Sequence, residues 1–293
     1  MSNHSHSNAD VNWTQRTTHL ERSAQVRSGF FESAMSWLRD RCGESEAHST
    51  PVQRILDIGS GPGVGTELLA NAFPGAVVVA VDATPAMLDR VRERADRLGL
   101  GDRVEVRHAE LPAGYDGLGT ADLVWASDAL HHVGDQQQVV TRLGQLLNPG
   151  GLLAISEGGL PFRFLPRDIG IGRPGLQARL DAAGEDWFTA MRAGLPGATE
   201  RVESWPEMLA AAGLASMGSR SFLVDRPAPA DDDTRQMLHT TLTRLRKTGQ
   251  GRLDETDLAT VDRLLDPHDD AGVFKRADVF YLAATTVHVA RAT

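Results

Sequence analysis

The sequence predicts an α/β fold: a doubly wound, mostly parallel seven-stranded sheet with helices on both faces. Three observations carry that prediction. From Pro51 onward, short apolar runs alternate with helical stretches, the pattern of parallel βαβ units with right-handed crossovers. A glycine-rich turn stands directly between the first apolar run and the helix after it. The chain closes on a β-branched run, Val279 to Val289, that reads as a strand.

The elements follow in order. Leu20, Ala24, Phe31, Met35 and Leu38 recur at helical spacing, behind a capping box at Thr18 and Glu21 and with Gly29 as a weak point. A loop from Gly43 to Thr50 leads to Pro51. Arg54 to Ile58 is a buried strand, Thr66 to Phe73 a helix and Ala76 to Val81 a second strand. Thr84 and Pro85 then open a helix that Gly99 stops. Val104 to Arg107, Leu123 to Ala126 and Leu152 to Ser156 are three more strands, with a helix over Gln136 to Leu147 before the last. The rhythm breaks between Gly158 and Gly197, a stretch dense in Gly, Pro, Arg and the aromatics Phe162, Phe164, Trp187 and Phe188. Helices over Pro206 to Ala212, Thr234 to Lys247 and Thr256 to Leu265 and a strand over Ser219 to Val224 complete the set. On this reading the chain divides into four: an amino-terminal tail and helix (1–50), a βαβ core (51–157), an irregular insertion (158–200) and a C-terminal part of the core with a helical insertion and the final strands (201–293).

Composition narrows the function. The 293 residues are 41% hydrophobic and 24% charged, a globular balance. With 30 basic and 39 acidic side chains the formal net charge is −9, which disfavours a nucleic-acid partner. No apolar run approaches the roughly 20 residues that span a bilayer, so no membrane partner is expected. The polar start, with His4 and His6, has no secretory h-region, and a lone cysteine, Cys42, can form neither an internal disulfide nor a thiolate cluster. The expectation is a cytoplasmic protein, monomer or homodimer, with no bound metal.

The sharpest motif is Asp57-Ile58-Gly59-Ser60-Gly61-Pro62-Gly63, after a strand and before a helix. Its glycines let the backbone turn and leave room for a ligand against the peptide planes. A nicotinamide fingerprint needs a third glycine at a position that holds Val64 or Thr66, depending on which glycine starts the count. Four further joints stand in order: Asp82 closing the second strand, His108-Ala109-Glu110-Leu111-Pro112 after the third, Ser127-Asp128-Ala129-Leu130-His131-His132 after the fourth, and Leu147-Asn148-Pro149-Gly150-Gly151 before the fifth.

Together, over Arg54 to Glu157, these resemble the class I, Rossmann-like S-adenosylmethionine-dependent methyltransferases of small-molecule type. The resemblance implies S-adenosyl-L-methionine as cofactor, S-adenosyl-L-homocysteine as product and a small-molecule methyl acceptor. It implies a cofactor site of Asp57, Gly59, Ser60, Gly61, Gly63, Asp82, Ala83, Met87, Ala109, Glu110, Leu111 and Ser127. Within it Asp82 bonds the ribose hydroxyls, Asp57 serves the methionine end, and Leu111 flanks the adenine together with Met87, for which a core role is the alternative. The amino-terminal helix, with Trp13, Arg16 and Phe31, is expected to close over the cofactor.

Neighbouring fourth and fifth strands deliver His131, His132 and Glu157 to one pocket mouth, where a carboxylate-oriented imidazole can act as general base. Asp128 with Glu157 is the one place where oxygen ligands for a metal could begin to gather. The segment after Ser127 lacks the double proline of nucleic-acid base methyltransferases and the paired glutamates of protein-arginine enzymes. The aromatics of the insertion suggest an apolar or planar acceptor, while Arg163, Arg167 and Arg173 offer partners for a carboxylate or phosphate. The expected function is methyl transfer to an oxygen or nitrogen of a small organic molecule, possible secondary metabolites included. The alternatives are an NAD(P)-dependent oxidoreductase and a cofactor-binding protein without methyl transfer.

Overall fold

A computed structural model describes residues 13–43, 51–110 and 113–293. His4, His6, residues 44–50, Leu111 and Pro112 lie outside the described residues, as do the side chains of Trp13 and Arg16.

Seven strands form one sheet: β1 (Arg54–Ile58), β2 (Val77–Asp82), β3 (Val104–His108), β4 (Ala121–Ser127), β5 (Leu147–Arg163), β6 (Ala215–Arg226) and β7 (Tyr281–Arg291). Their order is β3-β2-β1-β4-β5-β7-β6. The first five are parallel, and β7 runs antiparallel between β5 and β6. This is the class I methyltransferase fold. From β1 the chain winds outward to β2 and β3, then returns to β4 and β5 on the other side, so the switch point lies between β1 and β4.

The nine helices among the described residues are α1 (Trp13–Val26), α2 (Ser28–Gly43), α3 (Val64–Ala72), α4 (Pro85–Arg97), α5 (Gln136–Gln145), α6 (Leu176–Ala193), α7 (Trp205–Ala211), α8 (Asp232–Thr248) and α9 (Glu255–Leu265). One face of the sheet shares a core with α2, α3, α8, α9 and the first turns of α6, around Phe30, Leu38, Leu69, Leu180, Leu238 and Val261. The other face packs on α5 and α7 through Val139, Leu143, Trp205 and Met208. The central strands are buried on both sides: Ile55, Leu56, Val78, Val79, Leu123 and Val124 are all fully covered. Their unbroken apolar runs are therefore what made them visible in the sequence.

Four expectations need correction. The amino-terminal helix is two helices, broken at Arg27 rather than at Gly29. Thr18 and Glu21 sit inside α1, which starts five residues before Thr18, so they form no capping box at its start. β5 is far longer than Leu152 to Ser156: Gly150 and Gly151 lie inside it, and it runs on to Arg163. Lastly, the irregular insertion contains a full helix, α6.

The long β5 is explained by its partner. Beyond Ser156 it has lost β4 but keeps β7, pairing Gly159 with Thr285 and Arg163 with Leu282 across two register shifts. Pro161 is tolerated because that stretch is an edge toward the β4 side. A side chain at Gly159 would run into the Ala284 carbonyl, 2.1 Å from its Cβ, so the bulge requires glycine there.

Candidate active site

β1 ends at Ile58 and the chain turns through Gly59, Gly61 and Gly63, all at positive φ, before α3 begins. Each glycine answers a different constraint. A Cβ on Gly59 would sit 2.6 Å from that of Ala129, because this turn and the loop after β4 touch. On Gly63 it would press into Val91 of α4 at 3.0 Å. Around Gly61 there is open space, and this glycine lines the cleft.

The cleft holds about 480 Å³ over the C-terminal ends of β1, β2, β3 and β4, within the range of small-molecule sites and at the switch point where such folds bind ligands. It brings together eleven of the residues expected to bind the cofactor or act in catalysis: Asp57, Gly59, Ser60, Gly61, Asp82, Ala83, Met87, Ala109, Glu110, Ser127 and His132. Gly63, His131 and Glu157 are not in its wall. Leu111 lies outside the described residues.

Asp82 stands at the end of β2, with Oδ2 accepting from Gly61 N at 2.9 Å and Oδ1 from Thr84 N at 2.8 Å. Both bonds fix the carboxylate in place while each oxygen keeps a lone pair for a ligand hydroxyl. Thr84 precedes Pro85 at the start of α4 and makes no side-chain cap, so the Asp82 carboxylate serves its backbone N–H instead.

Asp57 is 3% exposed, and its Oδ2 accepts from Thr66 Oγ1 at 2.6 Å. Burial pushes its pKa up to about 7, against the pull of the Thr66 hydrogen bond, and the nearby Asp82 charge adds to the rise. A buried carboxyl group so placed gains most from a cationic partner. Ser60 Oγ and Ser127 Oγ, buried in the same wall, have no protein partner. Unpaired buried hydroxyls in a cleft favour a polar ligand that satisfies them.

The loop after β4 holds the two histidines. Glu157, 4% exposed at the end of the β4-paired part of β5, accepts from Ala129 N at 2.9 Å and Leu130 N at 2.7 Å through Oε1. Its Oε2 lies 3.0 Å from His131 Nδ1. Burial alone would lower the His131 pKa, but the hydrogen bond and charge of Glu157, with Asp128 beyond, outweigh it and raise it. The His132 ring packs against His131 with centroids 4.1 Å apart and lines the cleft. Glu157, expected to orient an imidazole, thus has both oxygens engaged with the loop and bonds His131, which is not in the cleft wall; His132 is the imidazole that lines the cleft. α6 braces the loop from outside, where Arg192 Nη1 donates to the carbonyls of His131 at 2.8 Å and Val133 at 2.6 Å.

Sequence reasoning missed Arg27. It sits at the break between α1 and α2, lines the cleft, and donates to Asp128 Oδ2 at 2.8 Å and Thr285 Oγ1 at 3.1 Å. Asp128 is the one non-glycine residue at positive φ (50°) among those described, a conformation that Asp tolerates better than most residues. Its carboxylate is thus tied to Arg27, and that of Glu157 to His131 and the loop, which leaves no oxygen-ligand cluster between them. Leu20, Ser23, Ala24 and Phe31 line the same cleft, so α1 and α2 do flank it.

The insertion behaves differently from expectation. Phe162, Phe164, Trp187 and Phe188 are absent from the cleft wall. Phe164 is a core residue, Phe162 stacks on Tyr281 at 5.8 Å, and Phe188 packs near His131 at 5.9 Å. Arg163 pairs with Asp181, and Arg173 with Asp254 and Asp257, so these two guanidinium groups build structure. Arg167 does not line the cleft either. Burial raises the Cys42 thiol to about 11, which keeps it protonated and inert at neutral pH.

A family profile described as a methyltransferase domain matches residues 56–153. Trans-aconitate 2-methyltransferase of Variovorax paradoxus is 44% identical over 102 residues, 35% of this chain and 37% of that protein. 27-O-demethylrifamycin SV methyltransferase of Amycolatopsis mediterranei is 31% identical over 150 residues, 49% of this chain and 51% of that protein. The chain thus spans between about a third and a half of the length of these curated relatives. A solved structure from Bacillus halodurans, described as a candidate methyltransferase, superposes with a TM-score of 0.51 at 16% identity, covering 89% of this chain and all of that one. That likeness is one of fold. The matched segment runs from β1 into β5 and contains the glycine turn, Asp82 and the histidine loop, and so residues 56–153 are similar to a methyltransferase domain.

Proposed function

We propose that this chain is an S-adenosylmethionine-dependent methyltransferase acting on an oxygen or nitrogen of a small organic molecule. The observation that carries the reading is the pair of carboxyl groups in one cleft, Asp57 buried and Asp82 at the end of β2. They suit a ligand with an ammonium group at one end and a vicinal diol at the other. The two named relatives, a trans-aconitate and a rifamycin-type methyltransferase, support a small-molecule acceptor.

The bound cofactor supplies an electrophilic methyl group on a sulfonium, whose sulfur keeps the bonding pair when the acceptor's lone pair takes the methyl carbon. The residues then have little covalent chemistry to do. Asp82 would accept from the ribose hydroxyls, Asp57 would face the methionine end, and Met87 would lie against the adenine. His132, facing the cleft, takes the proton that the acceptor's oxygen or nitrogen loses. His131 and Glu157 are positioning residues: the carboxylate fixes the His131 ring and the two loop N–H groups, and that ring supports His132.

Calorimetric titration of the chain with S-adenosylmethionine, S-adenosylhomocysteine and NADH tests this. Micromolar binding of both adenosyl ligands and none of NADH is expected, with Asp82→Ala losing about 2 kcal/mol or more of that binding. Binding to NADH alone would replace the reading with the oxidoreductase one.

A further inference from the structure

The cleft wall has a charge pattern with a consequence for the acceptor. Four of its residues carry carboxyl groups, Asp57, Asp82, Glu110 and Asp128, and one carries a guanidinium, Arg27. Even with Asp57 protonated, the acids outnumber the cation among the described residues. Arg27 is already neutralised: it is bonded to Asp128 at 2.8 Å and to Thr285 and lies over the rings of Phe30 and Phe31, 5.3 and 5.8 Å from their centroids. A cofactor with two cationic centres and one carboxylate would offset a single acid.

The part of the cleft left for the acceptor is the part the cofactor chemistry does not claim. The diol and ammonium partners stand at β1 and β2, whereas His132, Val133, Phe31 and the Arg27–Asp128 pair gather at the β4 side. Two of these are apolar, and the ion pair presents no net charge. The arginines outside the cleft do not help, since Arg163 and Arg173 spend their charge on Asp181, Asp254 and Asp257.

We propose that the acceptor is an uncharged, largely apolar molecule with its hydroxyl or amine at His132, and that polycarboxylates are excluded because Asp128 cancels the only guanidinium in the cleft among the described residues. This rests on the methyl-transfer reading and sets the chain apart in substrate charge from the aconitate-type relatives. A trianion would enter a cleft whose acids outnumber its single, already paired cation, and like-charge juxtaposition is how a site rejects a wrong ligand.

The test compares the tricarboxylate trans-aconitate with its uncharged trimethyl ester, titrated into the wild-type chain and into Asp128→Asn, each with and without S-adenosylhomocysteine. Asn suits the positive φ at this position, and circular dichroism checks that the variant folds. The wild type is expected to favour the ester at least tenfold, and Asp128→Asn to gain at least tenfold for the trianion by freeing Arg27. If neither compound binds the wild type, a gain for the trianion in Asp128→Asn still supports the proposal. Tighter binding of the trianion by the wild type, or no gain in the variant, overturns it. Failure of S-adenosylhomocysteine to bind condemns the cofactor reading alone, because the charge comparison is also made without it.

Discussion

At the scale of single residues, the site separates groups that touch ligand from groups that hold others in place. His132→Ala is expected to lower turnover about 100-fold or more while leaving S-adenosylhomocysteine affinity within about twofold, since a positioned general base contributes roughly 10²–10⁴ in rate. Single-turnover kinetics beside calorimetry would separate the two; equal losses in binding and turnover would make His132 structural. Asp57 predicts a pH dependence. Its pKa of about 7 lies above the ordinary carboxylate value of 3.8, so the folded apoprotein holds a proton that the unfolded chain releases between those limits. Its contribution therefore favours folding below about pH 4 and is lost as pH rises toward 7. A cation at this site needs the ionised form, so cofactor affinity should weaken as pH falls through 7, with proton release on binding. Calorimetry in buffers of different ionisation enthalpy would detect that release, and Asp57→Asn should abolish it and stabilise the apoprotein.

At the scale of elements, most of the cofactor half was legible. β1 was read to the residue, and β2, β3 and α4 to within about one residue at each end. Buried parallel strands show as continuous apolar runs, and Pro85 and Gly99 punctuate α4. The α1–α2 break was not legible, because Arg27 is unremarkable locally and the break serves a contact with Asp128, 101 residues away. α6 was hidden by the Gly- and Pro-rich stretch before it, and β5 by the Gly158, Gly159 and Pro161 that its antiparallel partner tolerates. Gly63 was read as a cofactor residue, yet its tightest constraint is the approach of Val91. Gly63→Ala combines a positive φ of 85° with a 3.0 Å contact. It should cost about 2–4 kcal/mol of stability. Chemical denaturation would measure this, and a loss below about 0.5 kcal/mol would show that α3 and α4 relax apart freely.

At the scale of the whole molecule, the cleft depends on parts far apart in the chain: the α1–α2 junction, four strand ends and Thr285 of β7. A ligand that touches so many of them should stabilise the whole fold. S-adenosylhomocysteine at a hundred times its dissociation constant is expected to add about 2.7 kcal/mol and to raise Tm by about 5 °C, while NADH leaves it unchanged; scanning fluorimetry reads both. An equal shift with NADH would contradict the adenosyl specificity.

The sequence by itself determined the α/β class, the seven strands, the glycine turn and the acids at its rim. Strand burial and turn chemistry are local, and they leave their mark in runs of neighbouring residues. Only the tertiary structure decided which of two adjacent histidines lines the cleft, that Glu157 bonds the loop after β4, that the insertion's aromatics pack away from the cleft, and that Arg27 meets Asp128. Those outcomes depend on where side chains from distant segments converge and which hydrogen-bond partners they find there. That is a property of packing, and spacing along the chain does not encode it.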